Sequence, residues 1–279
     1  MASTSRTGFK RENFASRGPG YLTDHTILPA RRFNRLSDRF ELRWVAGQRG
    51  KPGLNADVQN AAEATRMVAD PDFEILGTNA TSGSSAFGPE GGVVLTTAGA
   101  DADQVILCPH LDANQTAWTQ VTWGTDRSVE WECDFKTGLS IAATILWAGL
   151  KLTNTPTGAT DNDQVFLRYQ NGVSSGAWVL WTSIGGTDTT TVTSFTVATS
   201  TRYRMKVKID ASRICQVFLA SGASPVGAKE YVTDWTCIYT TAALTDATDL
   251  IPYIGVQASG AAAAKSITVY GQAISRTVA

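Results

Sequence analysis

The chain has 279 residues, of which 43% are hydrophobic, and a formal net charge of −1. This is apolar material enough for a large core, and it excludes a highly charged disordered chain. The charged fraction is 18%, below the roughly 25% of an average globular protein.

The charge is unevenly placed. Up to Leu54 the chain carries eleven basic residues against four acidic ones, and the remainder is correspondingly acidic. A basic arm on an acidic body is a pattern for attachment to an acidic surface or to nucleic acid. Residues 1–54 show no sustained hydrophobic period. They read as an extended arm with isolated apolar anchors and arginines between them. Such a stretch cannot offset its ordering entropy alone and is expected to order on a partner. The residues expected to meet that partner are Arg11, Phe14, Arg17, Tyr21, Arg31, Arg32, Phe33, Arg35, Arg39, Phe40 and Trp44.

Residues 55–76 read as a short helix and linker. Asn55 is a suitable N-cap, and Val58, Ala61, Ala62, Thr65 and Val68 fall at helical spacing. Asp70-Pro71 would end the helix.

Residues 77–279 read as an all-β domain. Short apolar runs alternate with Gly, Asn, Asp and Thr clusters. In SVEWECDFK, Val129, Trp131, Cys133 and Phe135 point one way, and Glu130, Glu132 and Asp134 the other. In TRYRMKVKID, Tyr203, Met205, Val207 and Ile209 point inward, and Arg202, Arg204, Lys206 and Lys208 outward. If these strands are neighbours, an acidic face meets a basic one. Further strands are expected at GVVLTT, QVILCP, SIAATILWAG, QVFLRYQ, AWVLWTS, RICQVFLA, LIPYIGVQA and KSITVYGQAISR. Turns are expected at 155–158, 161–163, 185–186 and 221–222. About ten strands are too many for a small filled barrel. They fit a jelly-roll-like, two-sheet antiparallel sandwich.

The candidate chemistry is sparse. Glu130, Glu132 and Asp134 share one strand face, about 6.5–7 Å apart, near the separation of paired glycosidase carboxylates. Some jelly-roll glycosidases carry an E-x-D-x-E strand, but the order here is E-x-E-x-D. A half-exposed polar strand face is the simpler reading. Asp161, Asn162 and Asp163 could offer oxygens to Ca²⁺, yet are equally good turn formers. His25 and His110 sit in poor settings for catalysis, and no G-x-S-x-G, P-loop, dinucleotide or zinc motif occurs. Trp118, Trp123, Trp131, Trp147, Trp178, Trp181 and Trp235 could line a sugar groove or fill a core or interface. Cys108, Cys133, Cys215 and Cys237 are too scattered for a zinc pattern and read as buried small hydrophobes in a reducing compartment. MASTSRTGFK lacks the apolar core of a secretory leader. No apolar run reaches the roughly 18 residues of a membrane helix. The sequons at Asn79 and Asn114 then carry no expected glycan.

The segments Ala148 to Thr155 and Asp161 to Phe166, with TRYRMKVKIDASR and LIPYIGVQASGAAAAKSITVYGQAISR, resemble virion structural proteins of tailed bacteriophages, particularly phages of aquatic bacteria. The resemblance covers residues 77–279. It implies a concanavalin-like jelly roll without cofactor or catalytic residues. It also implies assembly in the bacterial host cytoplasm and a place on the capsid surface of the virion. The function expected from it is a capsid decoration or cement protein. The arm would grip major capsid protein, and the body would form a homo-trimer or homo-dimer. The arm's aromatics form no single-strand-binding module and the body is acidic, which argues against nucleic acid as the partner. The alternatives are a glycan-binding module of a head or tail fibre, recognising a surface glycan, and a jelly-roll glycosidase or lyase.

Overall fold

The computed structural model describes residues 31–34, 39–45, 51–54, 69–109, 123–152, 161–221, 235–260 and 263–277. The chain opens with β1 (Arg31–Asn34), β2 (Arg39–Val45), β3 (Lys51–Leu54) and β4 (Ala69–Leu76). There follow β5 (Ser85–Phe87), β6 (Val93–Thr96), β7 (Gln104–Pro109), β8 (Glu130–Thr137) and β9 (Thr144–Lys151). Next come β10 (Gln164–Gln170), β11 (Ala177–Ile184), β12 (Thr187–Thr196), β13 (Arg202–Ile209) and β14 (Ile214–Ser221). The last are β15 (Thr236–Ala243), β16 (Ile251–Ala258) and β17 (Ser266–Thr277). Among the described residues the only helical turns are three short 3₁₀ segments. None is long and apolar enough to cross a membrane.

The strands form two sheets. One is nine-stranded, in the order β1-β2-β17-β8-β13-β14-β15, with β6 on β17 and β5 on β6. The other is eight-stranded, in the order β12-β11-β10-β9-β16-β7-β4-β3. Pairing is antiparallel except between β3 and β4. This is the jelly-roll-like two-sheet sandwich expected from the sequence.

The two strands that read most clearly are neighbours. β8 alternates half-buried and buried residues along its whole length, and it pairs with β13 so that Lys206 faces Glu132 and Arg204 faces Asp134. Their inward residues meet the other sheet at an aromatic knot. Trp178 of β11 stands edge-on to Phe135 at 5.9 Å, to Tyr203 at 5.6 Å and to Tyr169 at 6.3 Å. Such pairs add about 0.5–1.5 kcal/mol each beyond their buried area. The Gly185-Gly186 turn joins β11 to β12 with both residues at positive φ, 57° and 82°. This matches the right-handed strand twist in a two-residue hairpin.

The expected boundaries differ from the sheet boundaries. β1, β2 and β3 lie inside the segment read as an extended arm, and β2 pairs along β17 from Thr277↔Arg39 to Gly271↔Val45. The segment read as helix and linker ends in β4, where Phe73 and Ile75 enter the core and Glu74 points to the other face. That period of two is a strand's. The expected helix over residues 55–68, the first thirty residues, and the turn at 155–158 lie outside the described residues.

Candidate functional site

The outer face of the nine-stranded sheet carries the carboxylates singled out in the sequence. All three are paired. Arg202 and Arg204 both reach Asp134, the latter at 3.1 Å. Lys206 Nζ lies 3.2 Å from Glu130 and 2.6 Å from Glu132. Burial alone would lower the Lys206 pKa, but Glu132 and Glu130 outweigh it and raise it. The Arg202 pKa is likewise raised, chiefly by its hydrogen bond to Asp134. Tyr270 and Trp235 cap the ladder as rings beneath Arg202 and Lys206, at 4.5 and 5.2 Å. This is a charge lattice that holds β8 to β13, with each carboxylate committed to a cation.

The eight-stranded sheet differs, because its central strands are buried on both faces. β9 is buried at every position. Alternate residues of β9, β10, β11 and β16 enter the main core. Those between them build a second apolar cluster of Ile106, Ile145, Trp147, Phe166 and Tyr253, with Trp181 packed against it. Cross-strand register sets the pattern. Thr190, Trp181, Phe166, Gly149 and Tyr253 form one row across five strands. Val192, Val179, Arg168, Trp147, Gly255 and Ile106 form the next.

Two glycines make this surface possible. A Cβ on Gly149 would collide with the backbone and Cβ of Phe166 and with the Val165 carbonyl. One on Gly255 would lie 2.8 Å from the Val105 carbonyl oxygen and 2.9 Å from the Trp147 indole nitrogen. Rings fill the room the glycines leave. Trp147 and Tyr253 stack at 5.8 Å with 24° between planes. Phe166 and Trp181 stack at 6.2 Å and 18°.

Two cations lie among these rings. Lys151 Nζ is 4.6 Å from the centre of the Tyr253 ring and 3.6 Å from Asp161. Burial lowers its pKa, and Asp161 opposes that only in part. The Arg168 guanidinium lies over Trp181 at 5.0 Å, and burial alone lowers its pKa. Trp147, Phe166 and Tyr253 are buried, whereas Trp181 and Arg168 are half-buried and Thr190 is exposed. Solvent therefore reaches the platform at its β11–β12 end.

The other sequence candidates fall elsewhere. Trp123, Trp131 and Trp178 are core residues, and Trp118, His25 and His110 lie outside the described residues. In the 161–163 loop, Asp161 faces Lys151 and Asp163 accepts from the Gly185 amide at 3.3 Å. These are turn and ion-pair roles. No cluster of metal-ligating side chains occurs among the described residues. None of the four cysteines forms a disulfide, but Cys237 is exposed, contrary to the expectation that all are buried, because it lies on the edge strand β15. Of the expected arm residues, Arg11, Phe14, Arg17, Tyr21 and Arg35 lie outside the described residues. Arg31, Arg32 and Phe33 belong to β1, and Phe40 and Trp44 to β2. Arg39 is used within the body, donating to Ser275 Oγ at 2.9 Å and to the Ser128 carbonyl at 2.9 Å. Sequence reading singled out Trp147 and Trp181 but missed Lys151, Phe166, Arg168 and Tyr253. The available signal was glycine inside an apolar strand run, which marks a close approach.

No protein-family model matches the chain, and no curated protein does. Among solved structures it is similar to a Shewanella oneidensis MR-1 protein of unknown function, with a TM-score of 0.53 and 17% identity over 94% of this chain and 95% of that one. It is less similar to the family 7 alginate lyase A1-II′, with a TM-score of 0.45 and 12% identity over 72% of this chain and 86% of that one. A winged bean acidic lectin complexed with methyl-α-D-galactose gives a TM-score of 0.47 and 10% identity over 85% of this chain and 98% of that one. The first likeness is one of fold alone, and the other two carry no argument.

Proposed function

We propose that this chain is a non-enzymatic glycan-binding module of a tailed-phage particle, carried on a head or tail fibre. The observation behind the reading is the outer face of the eight-stranded sheet. Flat aromatic rings from β9, β10, β11 and β16 lie there in two stacked pairs; three of the four are buried, and the half-buried Trp181, with Arg168 over it, is the ring that solvent reaches. Rings present apolar faces to sugar C–H groups, and a few placed polar groups give orientation. The phage setting comes from the sequence resemblance, and the pairing of Glu130, Glu132 and Asp134 with cations supports the non-enzymatic reading. The full chain should bind a subset of bacterial surface sugars on a glycan array, and replacing Trp181 with Ala should weaken that binding. A blank array would remove this reading.

A second reading, the capsid decoration or cement protein, is favoured by the basic surplus before Leu54. β1 stands at the end of the nine-stranded sheet. The test is cosedimentation with phage heads that lack this protein. Residues 31–279 are the right truncation, since a cut at residue 54 would strip β1, β2 and β3 from the sheets. Binding by the full chain alone supports an arm that grips major capsid protein. Binding by neither removes the capsid role.

A further inference from the structure

We propose that the Arg168–Trp181 pair is a carboxylate subsite, and that the glycan this protein takes is acidic, a sugar that carries a carboxylate. The inference rests on the glycan-binding reading and names the ligand chemistry within it. Arg168 is half-buried on β10, between Val179 and Trp147 in the cross-strand register. Its Nε is buried without a hydrogen-bond partner. Among the described residues no carboxylate pairs with it. The contrast with the opposite sheet is direct, since Arg202 and Arg204 there are both satisfied by Asp134.

A guanidinium whose Nε is buried without a partner carries a desolvation cost, which an anion bound to it would offset. Trp181 supplies what such a site needs besides charge. Held over the indole, the guanidinium is pre-organised, and a planar carboxylate can take two of its N–H donors. The site lies at the open end of the platform, beside the exposed Thr190 and the 58% exposed Val192 of β12. Lys151 has Asp161, and Asp188, two residues along β12 from Thr190, pairs in register with Ser183 rather than with Arg168. Arg168 is thus the cation on this face that no carboxylate among the described residues neutralises, and it favours a sugar acid over a neutral sugar.

The test is direct titration of the full chain, followed by tryptophan fluorescence, with short oligogalacturonates, their methyl esters and neutral oligosaccharides of equal length. The free acids should bind at least roughly tenfold more tightly than the esters, the worth of a charge-assisted pair, and the gap should shrink with added salt. Arg168→Gln should erase that gap. The ester comparison leaves the protein unaltered, so a folding defect in the variant would not decide the matter. Equal affinity for acid and ester, or an Arg168→Gln variant that keeps the gap, would overturn the subsite and leave glycan binding standing. No binding of any sugar would overturn both. Equal competition by a polyglutamate peptide would overturn the sugar as occupant and assign the site to an acidic protein segment.

Discussion

Arg202 holds Asp134 with two parallel donors, Nε to Oδ1 at 2.7 Å and Nη2 to Oδ2. Arg204 Nε adds a third, to Oδ2 at 3.1 Å. The residue that could have served a glycosidase is thus the node of a cross-strand lattice. Geometry of this kind, bidentate and partly shielded, is the case in which a surface pair contributes measurably.

Replacing Asp134 with Asn should therefore destabilise the fold by about 1–2 kcal/mol, because two guanidinium groups lose their counter-charge. Glu132→Gln, at a carboxylate whose side chain is 44% exposed, should cost about 0.5 kcal/mol or less. Urea midpoints of the two variants check the ranking. Equal midpoints would show the lattice to be decoration.

The same pair of strands shows how far the sequence could be read. One face of β8 and β13 is buried and the other is open, so the alternation of Trp131, Cys133 and Phe135 with acids was plain. The eight-stranded sheet lacks that signal. Trp147, Phe166 and Tyr253 point away from the core yet are buried, and a strand buried on both faces reads as one apolar run. The outer face was therefore invisible as a face, and with it the platform. β12 was missed for the opposite reason. TDTTTVTSFT is an exposed edge strand, and its hydroxyls read as turn material. β2 was missed because its pairing with β17 joins residues more than two hundred positions apart, which no local period can announce.

Gly149→Ala tests whether the platform depends on its glycines. The new methyl group would meet backbone atoms of β10, not the end of a flexible side chain, so the strands must part or the chain must fail to fold. A loss of about 3 kcal/mol or more, or insoluble protein, is expected. Gly172→Ala is the control. It has open space but a φ of +76°, so its cost should be the conformational one, about 1 kcal/mol. Thermal denaturation of both variants separates steric collision from backbone preference.

The thiols should divide into one fast and three slow. Cys108, Cys133 and Cys215 are buried, and burial pushes the Cys133 and Cys215 pKa values well up, so little thiolate forms. Cys237 is exposed on β15. Labelling the native chain with a maleimide should modify one thiol rapidly, and Cys237→Ser should abolish that phase. Rapid labelling of Cys215 as well would mean that the edge beyond β14 opens readily.

Alkali should unfold the protein cooperatively. Burial first, and then the neighbouring Cys108, raises the Tyr253 pKa well above the usual value, and burial raises that of Tyr203. Both folded values lie above the unfolded one of about 10. The unfolded state therefore releases these protons first. The stability tied to the neutral phenols is fully present below about pH 10 and is lost as pH climbs toward the folded values. Cys133 and Cys215, with the same direction of shift, begin to withdraw stability somewhat earlier, above the usual thiol value of about 8.5. Tyrosinate absorbance should accordingly show a fraction of the seven tyrosines that ionises only as near-ultraviolet circular dichroism collapses. Tyr253→Phe keeps the ring that stacks on Trp147 and removes one of these protons, so it should move the alkaline midpoint upward. Smooth ionisation of every tyrosine in a chain that stays folded would show the Tyr253 face to be open to solvent.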